Sequence, residues 1–115
     1  MTAVPRILIV AGSDSGGGAG IQADTKTVTM MGGHAMTAVT AVTVQDTRGV
    51  SQIDPVPPAV VGAQLSAVLN DLGADMIKTG MLVDAATIAA VLDALGDSDV
   101  PLVVDPVMVA KGGHR

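Results

Sequence analysis

Short apolar, β-branched runs alternate with stretches of helical periodicity along the whole chain, and that alternation narrows the possible folds more than any other feature. "RILIVAG" (6–12) is apolar, β-branched and closed by glycine, which predicts a buried strand. Residues 19–31 then carry a helical pattern, stopped by Gly32 and Gly33. "MTAVTAVTVQD" (36–46), rich in Val and Thr, predicts a second strand, and "RGVSQID" (48–54) a short edge strand. Pro57 and Pro58 open a helix, since proline is tolerated at a first helical position. Val61, Leu65, Val68 and Leu72 share one face of it, and Gly73 ends it. "ADMIKTG" (74–80) predicts another strand. Asp84 then caps a helix carrying Ile88, Val91, Leu92 and Leu95, which Gly96 stops. "VPLVVDPVMV" (100–109) predicts a last, fully apolar strand. Strand and helix in alternation make an α/β protein, with a mostly parallel sheet and helices on both faces.

The core of that sheet has to be aliphatic. The 115 residues include no Phe, Tyr or Trp, so Val, Ile, Leu and Ala build it, and Met fills the irregular gaps. The net charge of −5 rests on eleven Asp and no Glu. Nucleic-acid binding asks for a basic face and single-strand binding for aromatic platforms, so neither is expected. With no cysteine there is no disulfide, thiolate metal site or cysteine nucleophile. The apolar runs are too short to span a bilayer and the N-terminus has no signal-peptide pattern, so the expectation is a cytoplasmic protein with no membrane partner. No repeat or linker divides residues 1–115, which are read as part of one domain.

Between the first strand and the first helix stands "AGSDSGGGAGIQAD" (11–24), with five glycines, two serines and two aspartates. Glycine permits positive φ and close backbone approach, and successive N–H groups before a helix favour an anion or a polar ligand atom. A tight turn without a ligand is the alternative. A Walker A loop would need Lys-Ser/Thr after its last glycine, and this loop has none. "GAGIQA" (18–23) matches the G-x-G-x-x-A of a dinucleotide fold, but "SDSGG" separates it from the strand end, and the first acid on a following strand end, Asp46, comes too late in the chain.

Ligands of parallel α/β sheets sit beyond the carboxyl ends of the strands. Gly12, Gln45, Gly80-Met81 and Asp105-Pro106-Val107 all stand at such exits and are expected to line one crevice. Asp24 shares a helix face with Ile21 and Val28, so a carboxylate falls in the stripe that faces the sheet. It either bonds nearby backbone N–H groups or meets a ligand at the loop. Gln45 is either a surface residue or an amide that offers donor and acceptor to a planar heteroaromatic edge.

"AGSDSGGGAGIQAD" with Lys26, "TAVTVQDTRGV", "IKTGML" and "VVDPVMVAKGG" together resemble the hydroxymethylpyrimidine/phosphomethylpyrimidine kinases of thiamine biosynthesis, in the ribokinase-like superfamily. The resemblance runs from about Arg6 to Arg115, with the motifs in family order. It implies a doubly wound, ribokinase-like α/β fold and phosphorylation of a hydroxymethylpyrimidine and then its monophosphate, using ATP and Mg²⁺. It implies a pyrimidine pocket formed by Gly12, Asp24, Gln45, Met81 and Val107. Asp105 corresponds to an acidic position near the phosphates and metal, or is a strand-end Asp before proline. Lys111 is either a phosphate contact or a solvated lysine. A homodimer is also implied.

Members of that family are about twice as long, and their anion hole and catalytic base correspond to positions beyond Arg115. The expectation is therefore an N-terminal half that carries the acceptor-substrate side, with no catalytic residue of its own and no kinase activity alone. Three alternatives stand beside it: a pyridoxal or pyridoxine kinase, a dinucleotide-dependent oxidoreductase built on "GAGIQA", and a non-catalytic truncated chain. His34 and His114 are expected at surface turns.

Overall fold

The computed structural model describes residues 3–105. The chain runs β1 (Arg6–Asp14), α1 (Gly20–Met30), β2 (His34–Asp46), β3 (Gly49–Pro55), α2 (Pro58–Asn70), β4 (Met76–Thr79), α3 (Ala85–Leu95) and β5 (Leu102–Val104). The sheet order is β3-β2-β1-β4-β5. β1 pairs in parallel with β2 and β4, and β4 with β5. β3 turns back antiparallel along the end of β2 as the edge strand. This is the mostly parallel sheet that the alternation of elements predicts, in the doubly wound, ribokinase-like form that the resemblance implies.

Alternate side chains of a strand leave opposite faces of the sheet, and β1 divides the molecule in that way. Leu8 and Val10 enter a cluster with Met36, Ala38, Val61, Leu65, Ile77 and Val91, closed by α2 and α3. Ile7 and Ile9 face α1 instead, beside Val28 and Met76 in an open apolar groove of about 420 Å³. The two faces are unequally filled. Leu8, Val10, Val61 and Leu65 are fully buried, whereas α1 contributes no buried residue.

β3 covers only residues 41–46 of β2. Val39 lies on the uncovered stretch, and the side chain of Gln64 on α2 takes both of its main-chain groups: Val39 N–H donates to Gln64 Oε1 at 2.8 Å, and Gln64 Nε2 donates to Val39 O at 3.0 Å. A central-looking strand with a partly open edge is thereby satisfied without another strand.

At the opposite end of the sheet Arg6 ties β1 to the start of β4. Its guanidinium donates to both carboxylate oxygens of Asp75 and to Leu72 O. The Arg6 hydrogen bonds hold the Asp75 carboxyl below the usual carboxylate range and push the Arg6 guanidinium up. Both side chains are about half exposed.

Three expectations need correction. The buried stripe of α3 runs through Thr87 and Val91, with Ala94 and Leu95 at its margin, while Ile88 and Leu92 face solvent. The cap itself is where the sequence places it, with Thr87 N–H donating to Asp84 Oδ1 at 2.9 Å. Leu72 lies beyond α2 and is half exposed, because the helix stops at Asn70 and Gly73 N–H closes back on Val68 O. His34 is exposed but opens β2, where its N–H donates to Pro5 O, rather than sitting in a turn. The last predicted strand is seen as Leu102–Val104, and its continuation from Pro106 lies outside the described residues.

Candidate functional site

The strand exits of β1, β2 and β4 converge, with Asp105 just past β5, around a cavity of about 400 Å³. Gly12, Asp24, Gln45, Met81 and Asp105 all line it, as do Ala11, Val50, Ile53, Lys78 and Gly80. Outward from β1, the chain connects to β2 on one side, and from β4 to β5 on the other. The cavity thus sits at the carboxyl ends of two neighbouring strands whose connections diverge, where the doubly wound architecture leaves a crevice. Val107, Lys111 and His114 lie outside the described residues.

Two irregularities in strand pairing shape this end of the sheet. Between Ala11 and Ser13 the register on β2 jumps from Val39 to Val42, so one extra β2 residue is accommodated opposite Gly12. A second shift lies between Val44 and Gln45, against β3. Bulges re-aim side chains and loosen pairing at sheet ends. Here they fall on Gly12 and Gln45, two of the residues the sequence places at the site.

Glycine at position 12 makes room for Met81. A Cβ there would lie 2.7 Å from Met81 Cε, so the methionine methyl packs directly on the glycine backbone. Met81 is held from the other side, since the buried Thr40 hydroxyl donates to Met81 O at 2.6 Å. Gly20 is still more constrained. Its φ is +58°, and a Cβ would fall 2.2 Å from Gly12 O. Both glycines let the loop fold back against its own strand, where Ser13 and Gly20 form an isolated bridge.

The loop's N–H groups serve an internal anion. The Asp14 carboxylate accepts from Gly16 N at 2.7 Å, Gly18 N at 2.8 Å and Ala19 N at 2.7 Å, and the residue is only 5% exposed. The expectation that these donors await an external anion is therefore corrected: the nest is filled by the chain's own aspartate. The same bonds remove the phosphate cradle that a dinucleotide reading of "GAGIQA" needs. α1 has no side-chain cap at Ala19; Asp14 holds the turn that leads into it, through the N–H groups of Gly18 and Ala19. Gln22 reinforces the turn, accepting from Asp14 N at 2.7 Å and donating to Ser13 Oγ at 2.8 Å.

Ser15 fixes the loop to the end of β2. Its hydroxyl donates to Gln45 O at 2.7 Å and accepts from Gln45 N at 2.8 Å. The Gln45 side chain is then aimed by Thr43, whose Oγ1 accepts from Gln45 Nε2 at 2.6 Å while donating to Ser13 O at 2.7 Å. One amide N–H is thus used within the protein. The amide carbonyl oxygen makes no hydrogen bond among the described residues, so an acceptor and a second donor are left for a ligand edge.

Asp24 has a partner that neither sequence reading foresaw. Among the described residues it bonds no backbone N–H. Instead Lys78 Nζ donates to Asp24 Oδ2 at 2.6 Å, and the same ammonium lies 3.9 Å from Asp105 Oδ2. Lys78 and Asp24 are each about a quarter exposed, and Asp105 is 58% exposed. Asp14, Thr43 and Lys78 are therefore the residues sequence reasoning missed. The signal for Lys78 was a lone cation in the strand "MIKT" on the sheet face that α1 approaches.

The cavity combines aliphatic walls from Ala11, Val50, Ile53 and Met81 with one amide, two carboxylates and one ammonium. Such a site takes a small, flat, polar-edged molecule, with apolar contact to its faces and hydrogen bonds to its rim.

Comparison with known proteins agrees with this geometry. Residues 14–115 match the family model for phosphomethylpyrimidine kinase. Over 112 residues the chain is 54% identical to the hydroxymethylpyrimidine/phosphomethylpyrimidine kinase of Mycobacterium bovis, covering 95% of this chain and 40% of that protein. It superposes on the crystal structure of phosphomethylpyrimidine kinase from Clostridium difficile 630 with a TM-score of 0.85 at 38% identity, over 97% of this chain and 48% of that one. The pyridoxal kinase of Staphylococcus aureus in complex with pyridoxal gives a TM-score of 0.85 at 40% identity, over 96% of this chain and 42% of that one. The chain spans less than half the length of each of these relatives. Its sheet order, its glycine-folded loop and its match from Asp14 onward make this chain a member of the phosphomethylpyrimidine kinase family.

Proposed function

We propose that this chain supplies the acceptor-substrate pocket for ATP-dependent phosphorylation of 4-amino-5-hydroxymethyl-2-methylpyrimidine, and then of its monophosphate, in thiamine biosynthesis. The observation that carries the reading is the convergence of Gly12, Asp24, Gln45 and Met81 on one cavity of about 400 Å³. An aminopyrimidine fits its chemistry. The ring lies against Met81, whose thioether adapts to an aromatic face. Gln45 accepts from the exocyclic amine through its carbonyl and donates to a ring nitrogen through its remaining N–H. Asp24 accepts from an N–H or from the hydroxymethyl O–H at the rim.

With this activity go Mg²⁺, a cytoplasmic setting and a homodimer. Among the described residues no group of three or more His, Cys, Asp or Glu side chains converges to hold a metal ion. The two carboxylates at the cavity share Lys78, and the loop N–H groups are given to Asp14. The described residues therefore form no ready-made cage for Mg²⁺ or cradle for nucleotide phosphates; Asp105, exposed at the end of β5, is the carboxylate that would face them, and the part we assign to the rest is to bind and orient the acceptor. No helix among them is long and apolar enough to cross a membrane.

Pyridoxal or pyridoxine as acceptor is a second reading, favoured by the likeness to the Staphylococcus aureus enzyme. Calorimetric titration of the chain with hydroxymethylpyrimidine, and with pyridoxal in competition, separates the two. The first reading expects saturable pyrimidine binding that pyridoxal displaces only at higher concentration. Tighter binding of pyridoxal would replace it with the second.

A further inference from the structure

Lys78 is the one cation among the described residues that line the cavity. It stands in the middle of β4, paired across the sheet with Ile9 of β1 and Val103 of β5. Its aliphatic stem therefore crosses an apolar strip, and only the ammonium reaches polar partners. A lysine on such a strip costs desolvation unless it is paired. The partner, Asp24, belongs to a different element, 54 residues away in sequence. The helix that carries Asp24 has no buried side chain and no side-chain cap at Ala19. α1 covers the fully buried Ile9 of β1 but buries no side chain of its own, so apolar packing alone leaves the position of the Asp24 carboxylate above the sheet loosely fixed.

We propose that Lys78 is the positioning residue of the acceptor pocket: its ammonium ties α1, which packs over β1 and β2, to the neighbouring β4 and presents the Asp24 carboxylate to the cavity. Oδ2 of Asp24 is taken by Lys78, while Oδ1 makes no hydrogen bond among the described residues and is left to accept from a ligand donor. The ammonium makes one hydrogen bond, and Asp105 stands at ion-pair rather than hydrogen-bond distance. Lys78 thereby also sets the spacing between the pocket carboxylate and the carboxylate at the end of β5. The arrangement is a bridge across three elements, α1, β4 and the exit of β5, on the thinly packed face of the sheet.

The role in ligand presentation rests on the pyrimidine reading above; the seating of α1 does not. The test uses the whole chain with four substitutions: Lys78→Met, which keeps the stem, Lys78→Arg, which restores a cation, Asp24→Asn, and the Asp24→Asn/Lys78→Met pair. Amide hydrogen exchange reads the seating without any ligand. Lys78→Met is expected to speed exchange of the α1 amides about tenfold or more while α2 and α3 are unchanged, and Lys78→Arg to reverse this. Titration with hydroxymethylpyrimidine reads presentation. Lys78→Met and Asp24→Asn are each expected to weaken binding on the order of tenfold, with the double variant no weaker than either single one. Unchanged α1 exchange in Lys78→Met overturns the proposal whatever the ligand does. So does additive weakening in the double variant, or weakening by Asp24→Asn alone. Absence of pyrimidine binding by the unsubstituted chain would overturn the proposed function, and the exchange measurement would still decide Lys78.

Discussion

The two faces of the sheet are built by different physics. On one, α2 and α3 close over Leu8, Val10, Met36, Ala38 and Ile77, with Val61, Leu65 and Val91 fully or nearly fully buried. On the other, α1 covers the fully buried Ile9 but contributes no buried side chain of its own, and it is held by Asp14, Gln22 and the Lys78–Asp24 pair. Hydrophobic burial is non-directional and tolerant, whereas hydrogen bonds fix angles and distances. The more densely packed face and the face that carries the candidate site are therefore different. The cavity lies at the strand exits on the second of them, where Asp24 of α1 meets Gly12, Gln45 and Met81.

The largest effect belongs to the packed face. Leu65→Ala removes a fully buried side chain and is expected to cost about 2–5 kcal/mol in urea unfolding. Val28→Ala on α1 is expected to cost well under half of that. Equal costs would erase the distinction between the faces.

Next comes the hydrogen-bonded loop. Asp14→Asn replaces one acceptor oxygen by an amine that faces N–H donors, and loses the charge that strengthens the remaining bonds. The expected loss is about 1.5–3 kcal/mol of stability, with faster exchange at Gly16, Gly18 and Ala19. A variant with native exchange at those amides would show that the loop is held by something other than Asp14.

A smaller effect of opposite sign is expected at Thr79. Its Oγ1 is buried and makes no hydrogen bond among the described residues, and the residue is 3% exposed. Thr79→Val keeps the shape and removes the unpaired hydroxyl, so thermal unfolding should show a gain of about 1 kcal/mol. A loss would mean that the hydroxyl has a partner.

The smallest effect is at the edge. Asp75 has its folded pKa depressed by Arg6, so the pair's contribution is fully present above the ordinary carboxylate value. It is lost as pH falls through the depressed folded value. The Tm difference between the native chain and Asp75→Asn should be positive at neutral pH and vanish in acid. As the pair is half exposed, the difference should be small and shrink with salt.

The sheet was legible because β-branched runs and glycine stops mark parallel strands strongly, and even the edge strand β3 was foreseen within one residue at each end. The buried face of α3 was less so, because Ile88 and Leu92 are at least as apolar as the buried Thr87 and Val91, so apolarity along the helix does not choose between its faces. At the site, Gly12, Asp24, Gln45 and Met81 were legible through a resemblance of motifs. Their supports were not. Thr43 positions Gln45 through a bond that depends on the β2 pleat, and Lys78 meets Asp24 across 54 residues of sequence. Asp14 was read as part of a loop awaiting an anion, since residue types alone do not reveal that the anion is already supplied by the chain.

The most direct test of the account is a titration of hydroxymethylpyrimidine into the native chain and Gln45→Ala. The Gln45 side chain bonds only Thr43 among the described residues, so the variant should keep its Tm. If the amide reads the ring edge by two hydrogen bonds, Kd should rise about tenfold to a hundredfold, equivalent to roughly 1.5–3 kcal/mol. An unchanged Kd in a variant with native Tm would contradict the account, because the cavity at the strand exits would then not be where the pyrimidine binds.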